Sequence, residues 1–225
     1  NSTARPDNLD AYDLVLKGLE FHKRGGITKE NAEKAVEYFS KAIETDPNYA
    51  RAYAWKACST ATVAQWDPER FGGNWLEACF DSVSHAMDID PDDAEAHRIL
   101  GAIRMFKGEF DASLNHHEKA RDLCPSDAYI RFKYATVLIY VGAPEKALEE
   151  IQIAKRLDPF CPDYLLEDEG ICYFWLNKFD EALESFRTLK VPSRNSLFYR
   201  TATLWKKGQQ DDAKLSLAEA LSVTK

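Results

Sequence analysis

ALEEIQIAKRLDP, residues 147–159, decides the fold, because the chain writes the same phrase several times. AVEYFSKAIETDP occupies 35–47, CFDSVSHAMDIDP 79–91 and SLNHHEKARDLCP 113–125. A shortened copy, ALESFRTLKVP, fills 182–192, and AKLSLAEAL closes the series at 213–221. Small residues at the first and eighth places (Ala35 and Ala42, Ala147 and Ala154) enclose a larger apolar one. That spacing puts all three on one face of an amphipathic helix, and the small ones let a neighbouring helix come close. The terminal proline cannot continue a helix and forces its predecessor out of helical geometry, so Asp46-Pro47, Asp90-Pro91 and Asp158-Pro159 read as stops.

Working outward, a second helix precedes each phrase. It carries a small residue at Gly18, Ala57, Gly101, Ala135, Gly170 and, less regularly, Thr201. Gly108, Gly142, Asn177 and Gly208 follow seven residues after the last four of these. They tolerate left-handed backbone and mark the turn between paired helices. The first two copies carry insertions in that turn, KRGGITKENAEK and VAQWDPERFGGNWLE. Trp66 and Trp75 are read as pinning the second insertion onto the core. A single hairpin cannot bury its apolar stripe, so copies must stack, and the fold class is all-α.

Pro91, Pro125 and Pro159 stand 34 residues apart. With the small/large/small phrases, this spacing makes residues 9–223 similar to tetratricopeptide repeats, and not to ankyrin or leucine-rich arrays. The resemblance implies a right-handed superhelix of about six helical hairpins. Their bounds are near 9–49, 50–93, 94–127, 128–161, 162–193 and 194–225, behind a linker at 1–8. It also implies that the first helix of each hairpin lines a concave face, at positions three before, one after, and four or five after the small residue. The groove candidates are Arg98, Met105 and Phe106; Tyr129, Phe132, Thr136 and Tyr140; Glu167, Phe174 and Trp175; and Phe198, Trp205 and Lys206. Aromatic rings give large contact area at small ordering cost, which suits an extended peptide or an amphipathic helix. About half of these rings are expected to be ordinary core.

Co-chaperone members of that family clasp a C-terminal carboxylate with Lys, Asn and Arg. The corresponding positions here hold Trp55, Glu95, Ile99 and Ala102, so a chaperone-tail receptor is disfavoured. A narrower likeness covers RPDNLDAYDLVLKGLEFHKRG at 5–25, AVEYFSKAIETDPNYARAYAWKA and the AQWDP insertion. It is similar to the C-terminal repeat arrays of bacterial class III adenylate/guanylate cyclases, and implies a cytoplasmic cAMP-signalling parent. Similar arrays also follow DNA-binding transcriptional regulators. A start at Asn1 without methionine, in a polar stretch to Pro6, is read as a piece of a longer protein.

Composition excludes several other uses. Twenty-seven aromatic residues and 45% apolar content belong to a packed chain. A net charge of −8 with alternating signs argues against nucleic acid and anionic membranes. No apolar run is long enough to span a bilayer. Cysteines 58, 79, 124, 161 and 172 form no CxxC pair, and each is read as a small hydrophobe in a reducing cytoplasm.

No catalytic residue, metal ligand set or cofactor motif is expected. His116 and His117 are adjacent and cannot chelate together; one packs and one is solvated. Asp88, Asp90 and Asp92 imitate a calcium loop that Pro91 interrupts. Gly25-Gly26 and Gly72-Gly73 lack a phosphate-loop Lys-Ser/Thr. LEDEG at 166–170 reads as a solvated acidic face. The expected partner is a protein or peptide, a catalytic domain of the same polypeptide, or a second copy of the chain.

Overall fold

The computed structural model describes residues 8–24, 28–71, 73–160 and 166–223. Positions 1–7 of the expected linker, Gly25, Gly26, Gly72 and Cys161 lie outside them. Among the described residues there is no strand, and twelve α-helices follow one another in packed pairs. None of these helices is long and apolar enough to cross a membrane.

Two compact units divide the chain at Pro125. The first contains α1 (Leu9–Leu19), a π-helical turn (Glu20–Arg24), α2 (Lys29–Thr45), α3 (Ala50–Ala64) and a 3-10 turn (Pro68–Phe71). It continues with α4 (Trp75–Ile89), α5 (Ala94–Phe106) and α6 (Phe110–Leu123). The second contains α7 (Ala128–Tyr140), α8 (Pro144–Leu157), α9 (Glu167–Trp175), α10 (Phe179–Thr188), α11 (Arg194–Lys206) and α12 (Gln210–Ser222).

Several boundaries have a local cause. Asn8, Thr28, Asp93, Asp127 and Ser193 cap helix N-termini, each accepting a backbone N–H that the first turn leaves unpaired. At the other end Asp46, Asp90 and Asp158 leave the helix in extended geometry. Their Oδ1 atoms then accept the N–H two residues on, from Asn48 at 3.0 Å, Asp92 at 3.1 Å and Phe160 at 3.0 Å. Asp-Pro is therefore a stop built from two parts: proline ends the helix and the aspartate side chain closes the turn. Within hairpins, Gly108, Gly142, Gly208 and Asn177 take φ of +76°, +77°, +78° and +58°.

The small residues of the first helices meet specific partners. A Cβ added at Gly18 would lie 2.5 Å from Phe39 Cε1, at Gly101 2.3 Å from His117 Nδ1, and at Gly170 2.5 Å from Phe186 Cε1. Phe39, His117 and Phe186 are each the fifth residue of their phrase, so a missing methyl on one helix admits a whole ring from the other. Where the first helix has Ala57 or Ala135 instead, the fifth residue is the β-branched Val83 or Ile151. Val83 and Ala57 share one buried cluster.

The second insertion is held down on both sides. Trp75 is half-buried and meets the Phe106 ring edge-on, centroids 6.3 Å apart. Lys29–Asp67 and Arg70–Glu33 ion pairs, both at 3.2 Å, tie it to α2. Trp66 remains 42% exposed and contributes less to this anchoring.

Candidate functional site

α5 of the first unit and α7, α9 and α11 of the second are first helices, and burial along each varies with helical angle. Counting from the small residue at 100° per position, three before lies about 60° away, four after about 40°, and five after about 140°. In α5, α7 and α9 the two positions nearer the small residue are buried or half-buried, and the one 140° away stands open. Arg98 (2%) and Phe132 (1%), both three before, are buried, and neither can touch a partner. Met105 and Phe174, four after, are half-buried. Phe106 (64%), Tyr140 (64%) and Trp175 (55%), five after, stand open, as does Lys206. The last hairpin is more exposed throughout, with Phe198 at 39% and Trp205 at 58%.

In the second unit the exposed rings of Tyr140, Trp175 and Trp205 lie on the final turns of α7, α9 and α11. Behind Trp175 the rings of Phe174 and Tyr199 form a scaffold, with centroids 5.4 Å apart and both within 6.5 Å of the indole. Tyr129 is half-buried with Lys133 Nζ 5.4 Å over its ring. Thr136 and Glu167 are engaged inside the unit. Glu167 accepts from Ser193 Oγ at 2.5 Å and from Asn195 Nδ2 at 3.3 Å.

The acidic run 166–170 is not a solvated face. Glu169 is buried and accepts from Gln152 Nε2 at 2.6 Å and Lys155 Nζ at 2.9 Å. Asp168 sits against Thr136, its Oδ2 2.6 Å from the hydroxyl. Burial pushes the Asp168 carboxyl up to about 6, against the opposing pull of Thr136 and Lys133. Consecutive residues on a helix diverge, but α9 packs against both neighbouring first helices and the helix before it, so each carboxylate finds protein.

In the first unit the inner positions Trp55, Glu95 and Ile99 are buried, so none forms a carboxylate clamp. Glu95 instead accepts from Arg98 Nε at 2.6 Å and faces Lys23 Nζ at 3.7 Å. Burial alone would raise the Glu95 carboxyl, but Arg98 and Lys23 hold it below the usual range. Both cations lie over Trp55, Lys23 Nζ at 4.6 Å and Arg98 at 5.1 Å from the ring centroid.

Beside them is Cys58, and the reading of every cysteine as a small hydrophobe fails there. His22 Nε2 is 3.5 Å from its Sγ, Arg98 Nη2 is 3.8 Å away, and His22 Nδ1 is 2.9 Å from Ser59 Oγ. Burial would raise this thiol, yet His22 and then Arg98 bring it down to about 6. Cys79 and Cys172 behave as expected of buried cysteines, both pushed up to about 12 by burial. His22 belongs to the π-helical turn, which re-aims its ring toward α3, and no spacing in the sequence announces that turn.

Of the two adjacent histidines, His117 packs as expected, but His116 is half-buried and not solvated, its Nδ1 3.1 Å from His97 Nδ1. Among the described residues no group of three or more His, Cys, Asp or Glu could hold a metal ion.

A tetratricopeptide repeat family model matches residues 27–49. The chain is 23% identical over 156 residues to the transcriptional regulator HilA of Salmonella typhimurium, covering 68% of this chain and 27% of that protein. It therefore spans about a quarter of that relative's length. Among solved structures, the thermophilic TPR protein TTC0263 of Thermus thermophilus superposes with a TM-score of 0.61 at 15% identity, covering 95% of this chain and 100% of the other. YrrB, described as a TPR protein with an unusual peptide-binding site, superposes with a TM-score of 0.56 at 22% identity, covering 83% of this chain and 92% of the other. Repeat phrase, paired helices and structural likeness agree: this chain has the tetratricopeptide-repeat fold.

Proposed function

We propose that the chain is a noncatalytic protein-interaction module whose second unit takes a peptide or helix on the exposed rings of α7, α9 and α11. The observation that carries this reading is the placement of Tyr140, Trp175 and Trp205, each more than half exposed, at the same end of three successive first helices. Large rings left open to water at corresponding turns are what a binding surface offers and a core does not. YrrB, with its peptide-binding site on the same fold, is consistent with that use.

The test is a phage-displayed random peptide library selected on the intact chain, with retained peptides re-measured on the Tyr140→Ala/Trp175→Ala double variant. Affinity is expected to fall at least about tenfold, on the scale of one or two hot-spot rings. Because both side chains are exposed, stability should move by less than about 0.5 kcal/mol each. Peptides that bind the double variant unchanged would place the working surface elsewhere.

Self-association is a second reading, favoured by a specific observation. α1 exposes Leu9, Tyr12 and Leu16 at helical spacing, and α12 exposes Leu215, Leu217 and Leu221. Sedimentation at several concentrations separates a second copy from a foreign partner.

The parent polypeptide is a further proposal. HilA's match over 68% of the chain favours a transcriptional regulator, and the likeness of the run at 5–25 favours a nucleotide cyclase. In either case the occupant of the surface could be a domain of the same polypeptide, and sequencing upstream of Asn1 decides between them.

A further inference from the structure

We propose that Cys58 and His22 form a reactive thiolate–imidazolium pair, at which the chain undergoes reversible exchange with a small, carboxylate-bearing disulfide. The argument is geometric. Three elements converge on one sulfur: the π-helical turn brings His22, α3 supplies Cys58 and Ser59, and α5 supplies Arg98, which pairs in turn with Glu95. An imidazolium donates from both nitrogens, and both have an acceptor in place. Nδ1–H points to Ser59 Oγ at 2.9 Å and Nε2–H to Cys58 Sγ at 3.5 Å.

The charges around the sulfur can be counted element by element. Among the described residues, His22 faces it from the turn, Arg98 from α5 and the neutral thiol of Cys79 from α4, while Lys23 and Glu95 stand one step further out, on Trp55 and Arg98. Among these described groups, three cations, counting His22 as the imidazolium of the proposed pair, stand against Glu95 and the thiolate, which favours an anionic reagent. Cys58 is half-buried, whereas Cys79 and Cys172 are buried. Cys79 Sγ is occupied as a donor to the Ala57 carbonyl at 3.2 Å, so the exchange partner comes from outside the chain.

The step balances without further reagents. Cys58 Sγ attacks one sulfur of the disulfide and a new S–S bond forms as the old one breaks. The leaving sulfur departs with the electron pair and takes the His22 imidazolium proton, which leaves a mixed disulfide and one free thiol. Cys58 is oxidised and the departing half is reduced; excess free thiol runs the reaction backwards.

Lowering a thiol from its ordinary value near ~8.5 to about 6 raises its thiolate fraction at pH 6 roughly 150-fold. The weaker nucleophilicity of a more acidic thiolate returns roughly 13-fold of that, so a net gain of about tenfold remains.

The experiment is incubation of the full chain with glutathione disulfide between pH 5 and 9, with mixed-disulfide formation at each cysteine followed by mass spectrometry. In the native chain the Cys58 rate should reach half its maximum near pH 6, and in urea near the ordinary thiol value. At pH 6 the native rate should exceed the urea rate about tenfold. In His22→Gln, checked for unchanged helical circular dichroism, the midpoint should rise toward the urea value. Native Cys58 that does not react, or that follows the same pH curve as the unfolded chain, would overturn the proposal whatever the variant does. A native-like His22→Gln that keeps the low midpoint would overturn the role of His22.

Discussion

Replacing Gly170 with alanine is expected to cost about 2 kcal/mol of stability, although alanine is the better helix former by about 1 kcal/mol. The added methyl would stand 2.5 Å from Phe186 Cε1, and the Phe186 ring, 3% exposed, is enclosed with Ile171, Ala182 and Leu189. Overpacking of this kind costs about 1–3 kcal/mol and sometimes more, enough to outweigh the propensity gain. The hairpin of α7 and α8 shows the alternative solution, with Ala135 and Ile151 at the corresponding positions. Phe186→Ile alone should also destabilise, by about 1–3 kcal/mol, because it leaves a void. The double variant Gly170→Ala/Phe186→Ile should lose at least about 1 kcal/mol less than the sum of the two. Urea titration of the four chains measures this; strictly additive losses would mean that the glycine and the ring are not matched.

Asp168→Asn should stabilise the chain at pH 8 by roughly 1–3 kcal/mol and change little at pH 4. The folded carboxyl, raised to about 6, holds its proton above the ordinary value near ~3.9. A raised carboxyl contributes stability that is fully present below the unfolded value and is lost as pH rises through the folded one. Two units correspond to about 3 kcal/mol at most, and asparagine removes that pH-dependent loss. The hydrogen-bond chain points the same way. The Thr136 hydroxyl lies 2.6 Å from Asp168 Oδ2 and 3.0 Å from the Phe132 carbonyl, with only one proton to give. A protonated Asp168 can donate to Thr136 and leave that proton for Phe132, and the amide of asparagine can do the same. Paired urea titrations at the two pH values provide the check. An equal effect at both, or a loss at pH 8, would show that the carboxylate is well accommodated.

Much of the scaffold was legible from the residues alone. Asp-Pro announces a stop because both halves act locally, and Gly108, Gly142, Asn177 and Gly208 announce turns because few other residues adopt positive φ. The candidate surface was legible only in part. The rule that selected it treated four inner positions alike, whereas helical angle separates them, sending Phe132 and Arg98 inward and Tyr140 and Trp175 outward. The state of Asp168 and the partners of Cys58 were not legible, because both depend on which helix lies opposite. A one-residue aspartate on a charged run gives no hint of Thr136, and nothing before α2 signals a π-helical turn that carries His22 to α3.

The turns that end at Asp46, Asp90 and Asp158 also bear on how the molecule ages. Aspartate in a loop ordinarily degrades when the next residue's backbone nitrogen attacks its side-chain carbonyl, closing a five-membered imide that reopens as an isomerised main chain. Proline has no N–H to attack with. At these three borders the residue that closes the turn is thus chemically shielded by the residue that ends the helix. Wear by this imide route must fall on aspartates elsewhere, and these three joints are spared it.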